Sequence, residues 1–312
     1  MSERELVETP APPPASAAAT AVPALDAAVP NQAAAPQPPG GASDCPTCGG
    51  SLGGGSPPSY VYAIGRIEPR FPALSVEKEF AQATGRAETA GLTDRQALHR
   101  VLTQREHRYL ARQLCWVMTI EGLETYIVVP RDPGDLELLV ESVRPAPHAT
   151  DIDIVIGVKG PLAPPTLCNG LTVPIVAFDQ LYSFDVDTLL GAIPRPEGVA
   201  SAQFRTTAEE VFNRVMQIGD NAGATDEHRA LNYLAVRYPA LYAAVADAQA
   251  RNASLSAVEV RSSALSGTRR IVEVIFSVTN RATDVVEKQF VRVDVTEEFP
   301  FLVTRLSPYF DR

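Results

Sequence analysis

Lysine is nearly absent from this chain: Lys78, Lys159 and Lys288 are the only three in 312 residues, and arginine supplies the rest of its positive charge. With 27 basic and 37 acidic side chains the formal net charge is −10. That balance argues against the basic face needed for nucleic-acid binding or for docking on anionic lipid, and leaves room only for a local basic groove. No stretch approaches the ~18 consecutive apolar residues that read as a membrane span. The opening Met1-Ser-Glu-Arg-Glu-Leu6 lacks the basic start and apolar centre of a secretion signal, so a cytoplasmic protein is expected. Cysteine is scarce as well. Four in so long a chain do not make a disulfide framework, and in the cytosol they would be thiols or metal ligands.

Catalytic signatures are also missing. There is no Gly-x-x-x-x-Gly-Lys-Ser/Thr loop to cradle phosphates and no Gly-x-Gly-x-x-Gly after a strand. The glycine-rich run Gly49 to Gly55 spells Gly-x-Ser-x-Gly at 49–53 but has no strand–helix context to make it a nucleophile elbow, and none of His99, His107, His148 and His228 sits in a zinc-protease helix motif. His107 precedes Cys115 closely enough to raise a thiol–imidazole dyad, against which stands the ordinary reading of a buried thiol and a satisfied histidine. Asp151 with Asp153, and Asp185 with Asp187, are paired carboxylates in sequence. The plainer readings are the outward face of a strand for the first pair and a helix cap for the second.

What is present falls into two parts. Residues 1–59 are rich in Pro, Ala and Gly without apolar periodicity, a composition that predicts a disordered, partly extended tail. One feature interrupts it, Cys45-Pro-Thr-Cys48. A Cys-x-x-Cys turn offers two thiolates at the bite a tetrahedral zinc needs, and Cys115 and Cys168 would complete a four-cysteine structural zinc site if the fold brought them close. A redox role for Cys45 and Cys48 is the alternative, although no strand–helix context surrounds them.

From Tyr60 onward the chain reads as one α+β domain to Arg312, with a sub-boundary near 195–205. Short strands at 60–65, 115–120, 125–129, 151–158 and 173–177 alternate with helical pieces at 75–84, 93–104, 107–114, 132–143 and 185–193. Thr93 with Gln96 has capping-box spacing, as do Thr206 and Thr207 with Glu209 and Glu210 ahead of a helix to about Ile218. Another helix starts at Asp226, and Pro239 opens a further one. After Asn252 the period changes to two. Val258 and Val260, then Val272 to Val278, then Val291 to Val295 predict a C-terminal antiparallel β-meander with one buried face, and Glu298 to Val303 adds an edge strand.

Three stretches carry a resemblance. Tyr60-Val-Tyr-Ala-Ile-Gly-Arg-Ile-Glu-Pro-Arg-Phe-Pro72, Arg112-Gln-Leu-Cys-Trp-Val-Met-Thr-Ile-Glu-Gly-Leu-Glu-Thr-Tyr126 and Phe299-Pro-Phe-Leu-Val-Thr-Arg-Leu-Ser-Pro-Tyr-Phe-Asp-Arg312 are similar to the C-terminal domain of PatA/PatG-type cyanobactin maturation proteases. The resemblance spans the chain from Tyr60 to its end. It implies a domain without assigned activity, appended in that family to subtilisin-like proteases that cut and macrocyclise ribosomally made peptides. The protease motifs are absent here, and Ser266-Gly-Thr-Arg269 is not one, so protease activity does not carry over. The expectation is a non-catalytic interaction module in peptide maturation. Its partner would be a precursor peptide, bound along an edge of the meander, or a maturation protease or modifying enzyme; a homodimer is left open. The alternative is a thiol- or zinc-dependent hydrolase acting through Cys115 or the metal.

Overall fold

The computed structural model describes residues 58–86, 91–148, 150–191, 201–216 and 220–310. The chain divides into two units, Met1–Gly54 and Gly55–Arg312, and every described residue belongs to the second. The expected tail with Cys45 and Cys48 lies outside the described residues, as does 192–200, where most of the expected sub-boundary falls. The elements run β1 (Ser59–Arg70), α1 (Leu74–Arg86), α2 (Asp94–Thr103), α3 (Arg108–Gln113), β2 (Cys115–Ile120), β3 (Leu123–Pro130), α4 (Leu136–Ser142), β4 (Asp151–Leu162), β5 (Pro174–Asp185), α5 (Val186–Gly191), α6 (Ser201–Met216), α7 (Asp226–Arg237), α8 (Pro239–Ala250), β6 (Ala253–Ser262), β7 (Ile271–Asn280), β8 (Val286–Asp294) and β9 (Phe301–Pro308). The architecture is α+β, as the change of period predicted.

The first five strands are apolar on both faces. In β1, Val61, Ala63 and Ile67 alternate with Tyr62 and Ile64, and all are buried. A one-sided sheet leaves one of those faces wet. Here the strands close into a barrel in the order β1-β2-β3-β5-β4, with β3 and β5 parallel and every other pair antiparallel. The interior draws on all five strands, through Val61, Trp116, Val128, Val155 and Phe178, and continues into Val101, Leu110 and Leu139 of α2, α3 and α4.

The outer wall of β1 and β4 is covered differently. Tyr62, Ile64, Ile154 and Ile156 pack with Leu231, Leu234 and Tyr242 of α7 and α8. The same cluster takes in Val272, Val274, Phe276, Val291 and Val293 from the four-stranded sheet β6-β7-β8-β9. One core therefore joins barrel wall, helices and meander, and truncating a fully buried member such as Leu234 would cost ~2–5 kcal/mol.

Polar bonds fix α7 to the barrel. The Tyr62 amide donates to the Gly223 carbonyl at 2.9 Å, the Asn232 side-chain amide donates to the Tyr62 carbonyl at 2.7 Å, and Asn221 donates to Asn232 at 2.7 Å. Gly223 has φ +71°, and a Cβ there would sit inside the Tyr62 carbonyl, so this close approach requires glycine.

The capping box at α2 forms as its spacing predicts: Thr93 Oγ1 accepts from the Gln96 amide at 3.3 Å and Gln96 Oε1 accepts from the Thr93 amide at 3.0 Å. The second expected box does not. Helix α6 already begins at Ser201, so Thr206 lies inside it and its hydroxyl donates to the Ala202 carbonyl one turn back at 3.1 Å. Strand β5 extends eight residues beyond the expected Ala177, because closing the barrel pairs Phe178 to Asp185 with β4.

Candidate functional site

The cysteines come first. Cys115 opens β2 and Cys168 lies in the β4–β5 loop. The structure brings them together, with Cα atoms 5.7 Å apart, but as a disulfide. Two sulfurs bonded to each other carry no thiolate charge, so in this state neither Cys115 nor Cys168 is a zinc ligand. That corrects the expectation of free thiols at these two positions. Cys45 and Cys48 lie outside the described residues. Among the described residues no group of three or more His, Cys, Asp or Glu side chains could hold a metal ion. The Cys115–His107 dyad fails for the same reason: the thiol is consumed, while His107 is buried with its Nε2 4.0 Å from Glu106.

The acids on β4 are not outward. Asp151 and Asp153 share the inward side of Val155, and both are buried at the barrel mouth. Asp153 accepts from the Ile67 amide at 2.7 Å and from Ser183 Oγ at 2.6 Å. Asp151 accepts from the His148 amide at 2.7 Å. Arg144 plugs the mouth between them, 3.6 Å from each carboxylate, and donates to the Ile152 and Phe184 carbonyls. Burial raises the Asp153 pKa, against the Ser183, Ile67 and Arg144 contacts that favour its charged form. This is a satisfied structural plug. Asp185 is the helix cap it was expected to be, accepting from the Thr188 amide at 2.7 Å and the Thr188 hydroxyl at 2.8 Å, and those bonds hold its carboxyl below the usual range.

Beside the mouth runs a groove of about 830 Å³ between β1, the β2–β3 turn, α5 and α6. Two of its arginines are paired: Arg70 with Glu124, and Arg205 with Asp187 and Glu209.

The outer face of the sheet differs. It carries a groove of about 850 Å³ lined by Leu265, Phe290, Tyr309 and Phe310 among charged groups. Glu273, buried near the start of β7, is held between Arg261 and Arg292 at 2.8 Å each. Arg261 also donates to the Tyr309 hydroxyl at 2.6 Å, and Arg292 stacks over Phe290 at 4.7 Å. These contacts fix the aromatic rings in place, with Phe290 and Tyr309 edge-to-face at 5.7 Å. Leu265, Phe301, Val303 and Phe310 stand exposed along this side, Phe310 at 80%. The rim of β9 is less open. Its Leu306 amide donates to the Tyr238 hydroxyl at 2.8 Å, and the Leu302 amide hydrogen-bonds Tyr233, whose hydroxyl burial raises. The expected docking edge is thus part-capped by tyrosines of α7 and its C-terminal boundary, a common protection for sheet edges.

One further residue had no sequence signal. Arg229 of α7 is fully buried and donates to three main-chain carbonyls of the β8–β9 turn: Val295 at 2.7 Å, Glu297, and Glu298 at 3.1 Å. Burial lowers its pKa to about 10, which still leaves it charged near neutrality. On a sequence it reads as an ordinary solvated arginine of an amphipathic helix.

Fold and surface define a class: an α+β domain with a plugged five-stranded barrel, bridging helices and a sheet whose outer face bears a fixed aromatic–arginine groove. The PatG Domain family model matches residues 60–261. A solved structure described as "PatG Domain of Unknown Function" is 21% identical, covers 80% of this chain and 98% of its own length, and superposes with a TM-score of 0.65. No curated protein matches. The chain belongs to the PatG domain family, as the three resembling stretches implied.

Proposed function

We propose that this chain is a non-catalytic interaction module of cyanobactin-type peptide maturation that binds an extended, apolar-rich segment of a precursor peptide on the outer face of its C-terminal sheet. Family membership supports the setting. The observation that carries the surface is the groove of about 850 Å³ whose rings are pre-oriented by the Arg261–Glu273–Arg292 ladder while Leu265 and Phe310 stay exposed. Rigid aromatic rings give contact area at little entropic cost, which is what a peptide site needs. Part-capping of the β9 rim shifts the docking surface from the strand edge to the sheet face.

The test is fluorescence anisotropy with labelled precursor peptide. Leu265→Glu combined with Phe310→Glu is expected to weaken binding at least tenfold, roughly 1.4 kcal/mol, with an unchanged melting temperature. Equal affinity in the variant removes the surface. Binding only to a maturation enzyme, or only self-association, removes the peptide assignment.

Zinc is proposed only for the reduced chain, whose four cysteine thiols are the ligand type that metal takes. One zinc per chain purified under reductant supports it; zinc-free reduced protein disposes of it.

A further inference from the structure

The β4–β5 loop, residues 163–173, lies over the outer wall of β2 and β3. Ala163 and Cys168 are buried there against Cys115, Val117 and Ile127, with Leu171 and Val173 partly covered. Its main-chain hydrogen bonds close on itself: Ala163 to Val173, Leu167 to Pro164, Gly170 to Pro165 and Leu171 to Cys168. What ties the loop to the wall is a few apolar contacts and the Cys115–Cys168 bond. The barrel does not need the loop for closure, since β2, β3 and β5 are joined by their own ladders. The two large cores also lie elsewhere, in the barrel interior and under the helices. Alongside Cys115 is a cavity of about 340 Å³, lined by Trp116, Ile127, Leu136 and Leu167.

From this arrangement we infer that the Cys115–Cys168 disulfide is a redox clasp whose two-electron reduction by a dithiol frees the 163–173 loop and uncovers the apolar wall of β2 and β3, while barrel and sheet stay folded. The chemistry balances. A thiolate of the reductant attacks one cysteine sulfur, the S–S bond breaks, and the other cysteine leaves as a thiolate that takes up a proton. The reductant's second thiol then attacks the mixed disulfide and expels the first cysteine. The net result is two protein thiols and one oxidised dithiol. In a reducing compartment a disulfide that forms at all is usually transient and redox-sensing, which fits a bond that fastens a self-contained loop and does not hold the core together.

Amide hydrogen exchange followed by mass spectrometry tests this on the full chain carrying Cys45→Ser and Cys48→Ser, so that the only remaining thiols are the two of the clasp. Dithiothreitol is the reductant and alkylation counts free thiols. The expected result is no free thiol before treatment and two after it. Peptides covering 163–173 and the start of β2 should then exchange at least about tenfold faster, with β7 and β8 unchanged. The Cys168→Ser variant should show the same fast loop without reductant. Free thiols in the untreated oxidised protein, an equally protected loop after reduction, or accelerated exchange throughout the domain would each overturn the clasp.

Discussion

Replacing Arg229 with leucine removes the donor that three carbonyls share. The Val295 carbonyl is fully buried and has no route to water, whereas Glu297 is exposed and Glu298 partly so, and both can be resolvated. An orphaned buried acceptor costs about 1–3 kcal/mol. Loss of the guanidinium's packing over the Tyr60 ring, 5.3 Å away, adds to that. Part of the cost is offset because a charge no longer has to be desolvated. The net expectation is a loss of roughly 2–3 kcal/mol, or about 5–10 °C in melting temperature for a domain of this size. Arg229→Lys, which keeps the charge but cannot span three carbonyls, should lose about half as much. Urea unfolding followed by the fluorescence of Trp116, the sole tryptophan and buried in the barrel, measures the whole domain from its far side. Exchange of the amides at 295–299 measures the turn. A leucine variant within ~0.5 kcal/mol of the parent would refute the reasoning, because it would mean the three carbonyls were never dependent on this side chain.

Two further outcomes follow from the structure. Burial, then the neighbouring Asp179 carboxyl, raises the Glu298 pKa to about 7, while Arg131 and Arg229 oppose the rise. Between the unfolded carboxylate range and that value the folded chain holds a proton the unfolded chain has released, so stability should fall as pH rises through this window. Melting temperatures from pH 5 to 8 should show that decline in the parent and a flat trace in Glu298→Gln; parallel traces would rule it out. Gly157 and Gly85 should respond oppositely to alanine. A Cβ at 157 would intrude on the Ala177 carbonyl and the Phe178 main chain of β5, which cannot yield, at a cost of at least the ~1–3 kcal/mol of an overpacked core. At 85 nothing lies within 4 Å, and alanine in α1 should add about 0.5–1 kcal/mol. Thermal melts that move the same way would contradict this.

The sequence carried the period of each strand but not which side faces inward. Ile152, Ile154 and Ile156 alternate with Asp151, Asp153 and Val155, and on a one-sided sheet the acids point to water. In a closed barrel the isoleucines meet α7 and α8 outside, and the acids turn in to meet Arg144. The alternation of β7 and β8 transferred directly, because that sheet does have one helix-covered face. The end of β5 was missed because Gln180 and Ser183 look like loop residues until β4 supplies their partners. Local chemistry such as the Thr93–Gln96 box was legible from four residues. The Cys115–Cys168 bond joins positions 53 apart, and Arg229 reaches carbonyls 66 to 69 residues away, separations at which sequence has no pattern to show. The aromatic groove gathers β6, β8 and the chain end, and only Tyr309 and Phe310 hinted at it.

The hydrogen bond from Asn232 to the Tyr62 carbonyl spans 170 residues. At ribosomal speeds of about 5–20 residues per second, β1 is made roughly 10–30 s before the α7 residue that bonds it. Throughout that interval the outer wall of the first strand is uncovered and sticky. The order of synthesis thus leaves the outer wall of β1 uncovered until the second half of the domain is made. A fragment stopping short of α7 should be recovered as aggregate, however well its barrel strands pair with one another.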